Sequence, residues 1–79
     1  MVWNTNNGIG SVQLNAPYSS NIKICILGMS GQMIHQEQLF LKGNQTTDWE
    51  IPSVIPNGIF FISLENDGKK WVKKVALLI

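Results

Sequence analysis

Apolar residues recur at every second position along most of this 79-residue chain, in short runs cut by Gly, Asn, Pro and Ser. Period-two alternation marks half-buried strands, and such punctuation every ten residues or so marks a sandwich or barrel. No window carries helical spacing of useful length, so the chain is expected to be all-β.

The pattern predicts a first strand over 9–16, with Val12, Leu14 and Ala16 on one face, ended by Pro17-Tyr18-Ser19-Ser20-Asn21. A second, over 22–27, places Ile22, Ile24 and Ile26 together on a core face. The chain should reverse through Gly28-Met29-Ser30-Gly31 into a third strand, from Gln32 to about Leu41, with Ile34 as its best core residue. His35, Gln36, Glu37 and Gln38 make the middle of that strand polar, which suits an outward-facing or edge stretch. After Lys42-Gly43-Asn44, a fourth strand over 46–51 alternates Trp49 and Ile51 with Asp48 and Glu50.

Pro52 and Pro56 cannot donate to a ladder, so the segment between them should cross the end of the sheets before Gly58 opens a fifth strand. Phe60, Ile62 and Leu64 share one face of it. Asn66-Asp67-Gly68-Lys69 is the strongest hairpin signal, because Asp-Gly suits a primed turn. The sixth strand alternates Trp71, Lys73, Val75, Leu77 and Ile79 with Val72, Lys74, Ala76 and Leu78. Six or seven strands, joined mostly by hairpins with one proline-bracketed crossing, specify a small two-sheet antiparallel sandwich of Ig-like or Greek-key type. Its predicted core is Leu14, Ile24, Ile26, Ile34, Ile62, Leu64, Val75 and Leu77.

Residues 1–79 form one domain, and a chain this short buries only about 60% of the surface it exposes when unfolded. Six Lys, no Arg and five acids leave the charge near zero. Nucleic-acid binding needs many cations on one face, and the only cluster here is Lys69, Lys70, Lys73 and Lys74, so no nucleic-acid partner is expected. Cys25, the single cysteine, lies in an apolar strand and reads as a buried thiol. No apolar run is long enough to span a bilayer, so no membrane insertion is expected. The N-terminus lacks the basic and apolar regions of a signal peptide; were the chain exported, its signal would lie on a larger precursor.

One His, one Cys and five scattered acids give no catalytic or metal-ligand spacing, and no glycine-rich loop opens a helix that could hold phosphate. The expectation is no enzyme and no cofactor. His35, amid Gln and Glu, reads as a solvated surface residue. Glu65 and Asp67 read as turn solvation, since Ca²⁺ takes six or more oxygens from denser acidic loops. Trp3, Trp49 and Trp71 read as caps on the core; the alternative is an aromatic platform in a carbohydrate-binding or adhesive module. Paired lysines on a terminal strand read first as guards against edge-to-edge aggregation, with an anionic partner as the alternative.

The C-terminal half carries a further pattern. Ile55-Pro56-Asn57-Gly58-Ile59-Phe60-Phe61-Ile62, then Asn66-Asp67-Gly68, then Val72-Lys73-Lys74-Val75, is similar to the Leu-Pro-x-Gly-x-Tyr-x-Val, turn and Lys-Lys-Val ending of type IX secretion system C-terminal sorting domains. Gly31-Gln32-Met33-Ile34 after Ile22, Ile24 and Ile26 resembles that family's Gly-Gln-x-Val motif, and Asn4-Thr5-Asn6-Asn7-Gly8 its Asn-Pro-x-x-Gly opening. Thr5 replaces the family's usual Pro, and Phe60 its usual Tyr, keeping the ring and losing the hydroxyl.

The resemblance implies a non-catalytic domain at the end of a larger secreted protein, reaching the cell surface or medium by way of the periplasm. Its implied partners are a covalently fused N-terminal cargo, an outer-membrane translocon and a sortase-like processing protease. The residues it points to are Gly58, which shapes a turn, Val75, which anchors a strand, and Lys73 and Lys74, whose side chains are expected to be exposed and readable.

Overall fold

The alternation runs to within a few residues of every turn, so strands take up most of the chain. The computed structural model describes residues 2–6 and 10–77, and among these the strands are β1 (Val2–Asn6), β2 (Ser11–Asn15), β3 (Ser20–Leu27), β4 (Met33–Leu41), β5 (Thr46–Glu50), β6 (Gly58–Asn66) and β7 (Lys69–Leu77). They form two antiparallel sheets, a three-stranded one in the order β1-β2-β5 and a four-stranded one in the order β4-β3-β6-β7. The all-β two-sheet expectation is met.

Val2–Asn6, outside any strand that the alternation predicts, pairs with β2 along its whole length. Ile9, expected to begin the first strand, and Leu78 and Ile79, expected to extend the last, lie outside the described residues. The connections also differ from the expected run of hairpins with one crossing. Hairpins join β3 to β4 and β6 to β7, but the chain changes sheet three times, after β2, after β4 and after β5.

Two of these crossings brace each other. Asn44 N donates to Ala16 O at 2.9 Å, and Gly43 N donates to Ser19 Oγ at 3.0 Å. The approach is so close that a Cβ on Gly43 would lie 2.7 Å from both Ser19 N and Tyr18 Cα, backbone atoms that cannot swing aside. The third crossing is the proline-bracketed segment. It begins with Ile51 N donating to Gly10 O at 2.8 Å, turns with Ile55 N donating to Pro52 O at 3.0 Å, and buries Ile55 at the end of the core.

Seven of the eight predicted core residues are buried, alongside Ile22, Leu41, Phe60 and others. The exception is Ile34, which is 46% exposed. The ladder between β3 and β4 slips at Ile26/Leu27: His35 opposes Ile26 while Met33 opposes Leu27, leaving Ile34 as the extra residue of a bulge. A one-residue slip exchanges the faces, so His35 and not Ile34 takes the inward position.

Truncating a fully buried strand residue removes its transfer energy and leaves a cavity. Ile62→Ala is therefore expected to cost about 2–5 kcal/mol in urea melts, and Ile34→Ala less than about 1 kcal/mol. Equal costs at the two positions would place Ile34 back in the core.

Candidate functional site

Gly58, Lys73, Lys74 and Val75 fall on two adjacent strands, since β6 and β7 pair from Gly58↔Leu77 to Asn66↔Lys69. The Asp67-Gly68 turn joins them with positive φ at both residues, 50° and 77°, as a primed hairpin requires. Sharing a hairpin does not bring the four side chains together, because the pleat sends neighbours to opposite faces.

Gly58 begins β6 with φ 147°, a region that L side chains rarely adopt, although nothing lies within 4 Å of where a Cβ would stand. Its role is in the backbone path from the proline segment into the strand. Val75 opposes Phe60 and is buried in the core. Lys74 opposes Phe61 on the outer face of the four-stranded sheet, where it is exposed.

Lys73 departs from the expectation of an exposed side chain. It opposes Ile62 on the inward face and is half-buried, because β7 lies at the sheet's edge and the lysine stem reaches across to the other sheet. There its Nζ donates to Trp3 O at 2.5 Å and sits 4.6 Å from the centroid of the Trp3 ring. The contact ties the edge strand β7 to the edge strand β1 of the smaller sheet. A hydrogen bond from a charged donor and a cation over an indole face are both favourable contacts.

The other side of the sandwich is closed similarly. Trp49 on β5 donates from Nε1 to Glu37 Oε2 at 2.8 Å, and Glu37 Oε1 lies 3.1 Å from His35 Nε2. The Trp49 bond, followed by the His35 bond, holds the Glu37 carboxyl below the usual carboxylate range. His35 is thus an inward, half-buried member of an inter-sheet network, in place of the solvated residue expected from its polar neighbours. The inter-sheet bonds have no local signature, since Lys73 and Trp3 stand 70 positions apart and Trp49 and Glu37 stand 12 apart.

Trp3 and Trp49 are 6% and 7% exposed and only Trp71 is half-buried, which removes the flat exposed aromatic pair a carbohydrate platform would need. Near the β6–β7 turn, Asp67 Oδ2 accepts from Tyr18 OH at 3.2 Å and Glu65 lies 3.9 Å from Lys70, so both carboxylates are engaged by protein groups. Cys25 is buried, as its apolar strand implied.

A narrow sheet clasped to a wider one by two tryptophans, with one face of the wider sheet open, defines a small β-sandwich module. The sequence model of the secretion system C-terminal sorting domain matches residues 4–77, and the chain belongs to that family, a C-terminal sorting signal of type IX secretion. Domains of this family are in general non-catalytic and imply export to the cell surface or medium. Searches among curated proteins and among solved structures return no significant match.

The two lysines should separate in the laboratory. Hydrogen bonds to charged groups contribute about 1.5–3 kcal/mol, so Lys73→Ala should lower stability by an amount of that order, while Lys74→Ala stays within about 0.5 kcal/mol. Urea melts followed by tryptophan fluorescence would read both, and an unaffected Lys73→Ala would show that the Trp3 contact carries no stability.

Glu37 sets an acid limb. Its proton binds at lower pH in the folded chain than in the unfolded one, so between those two values the unfolded chain holds more protons and stability rises with pH. The contribution is complete above the unfolded carboxylate value of about 4.3 and is lost as pH falls through the folded value. Glu37→Gln should therefore flatten the melting temperature against pH below about pH 5. An unchanged slope would mean that the Trp49 bond does not distinguish the charged carboxylate.

Proposed function

We propose that this domain serves as an address for a covalently fused N-terminal cargo, which it directs from the periplasm through the outer-membrane translocon of a type IX system. A sortase-like protease then processes the fusion at the surface. The observation that carries this reading is the family match across residues 4–77, with the Pro-x-Gly, Asp-Gly and Lys-Lys-Val segments in order along one hairpin. Recognition in this reading falls on the outward side of that hairpin, where Lys74 stands. Gly58 shapes the entry to β6, Val75 anchors β7, and Lys73 acts indirectly by holding β1 against β7.

The chain fused behind a signal peptide and a folded reporter should bring the reporter to the surface or medium of a cell that has the type IX system. The same fusion should stay in the periplasm of a cell lacking the translocon, as should a reporter without the domain. Retention of the intact fusion in the competent cell would defeat the sorting reading.

A further inference from the structure

The outer face of the four-stranded sheet has two unlike halves. Register aligns its outward residues in rows from β4 to β7: Gln38, Lys23, Glu65 and Lys70 in one, Gln36, Cys25, Ser63 and Val72 in the next, and Met33, Leu27, Phe61 and Lys74 in the third. Beyond the third row lie Ile59 and Ala76. Phe40, 64% exposed, stands outward opposite Asn21 beyond the first row. The half nearest the β6–β7 turn is therefore polar apart from Phe40 on the edge strand, and the half toward Gly58 and Leu77 is apolar. Met33, Ile34, Ile59 and Val72 are 46–54% exposed, and Leu27 and Phe61 are half-buried among them. The bulge that expels Ile34 from the core adds it to this patch.

Lys74 is the one cation within the apolar half, and among the described residues it has no ion-pair partner. The nearest acid along β6 is Glu65, four residues from Phe61 or about 13 Å, and Lys70 holds it at 3.9 Å. A contiguous apolar patch with a single unpaired cation is complementary to an apolar surface bearing a carboxylate.

The charge pattern selects among occupants. Two copies of this chain packed on the patch would bring two Lys74 ammonium groups into an apolar interface to which neither copy contributes an acid, a costly arrangement. An anionic lipid surface draws on clusters of four or more cations, whereas the other lysines of this face, Lys23 and Lys70, lie in the polar half.

We infer that the apolar half-face around Phe61, Ile59, Val72 and Lys74 is a docking surface for a protein partner that offers an apolar contact and a carboxylate to Lys74. The inference rests on the sorting reading, and it places that partner in the export machinery.

The test uses the reporter fusion in the type IX cell, with the unaltered domain measured first. If that fusion is retained, the sorting reading fails and the docking inference falls with it. If it is exported, the double variant Ile59→Thr/Val72→Thr, which keeps β-branching while removing apolar surface, should lower export at least tenfold. Lys74→Glu should do the same and Lys74→Arg should export normally, all with melting temperatures near the parent's. Lys74→Glu changes only an exposed side chain and so guards against misfolding of the double variant. Normal export of folded Ile59→Thr/Val72→Thr and Lys74→Glu would overturn the docking surface and leave the sorting reading standing. So would a dimer of the unaltered domain in sedimentation that Val72→Thr dissociates, or cosedimentation with phosphatidylethanolamine–phosphatidylglycerol vesicles that Ile59→Thr abolishes.

Discussion

A three-stranded sheet is one strand, about 4.8 Å, too narrow to cover a four-stranded one. The inward rows of the larger sheet show the result. Aliphatic residues occupy the two middle strands, Ile26 and Ile62 in one row and Ile24 and Leu64 in the next. The ends of those rows carry His35 and Lys73, and Glu37 and Trp71, at the margins where the small sheet runs out. Polar inward residues are acceptable there because their heads find partners at the rim. Trp3 and Trp49 supply those partners and the bulk that closes each side.

This arrangement divides the work of two adjacent lysines. Lys73 and Lys74 are identical in charge and neighbours in sequence, yet one is spent on holding β1 and the other is presented to solvent. In a domain that buries so little of its surface, a contact worth one or two kcal/mol is a large share of the total stability. β1 pairs only with β2, so the Lys73 contact supports this edge strand from across the sandwich.

The middle of the outer face is lined by two small side chains, Cys25 and Ser63, both buried although the second sheet lies on the opposite side. The face is thus closed against water at its centre while remaining apolar toward the Gly58 end.

Much of this was legible along the chain. Alternation alone identified β3, β6 and β7 and their inward aliphatic residues, because each strand's pattern is dictated by which face meets the core. The Asp67-Gly68 turn and the crossing between Pro52 and Pro56 followed from local backbone chemistry. β1 has no alternation to reveal it, because its polar Asn4, Thr5 and Asn6 do not alternate with apolar residues. The outward position of Ile34 cannot be read from its own strand, because the bulge that displaces it is a property of pairing between two strands. The sequence by itself determined the family, the fold class and most of the aliphatic core, since these depend on periodicity and on the order of short motifs. Only the tertiary structure decided that Lys73 is a clasp and Lys74 a surface group, that Glu37 joins His35 to Trp49, and that Met33, Leu27, Phe61, Ile59 and Val72 share one end of the outer face, because each depends on how separate strands are set beside and across from one another.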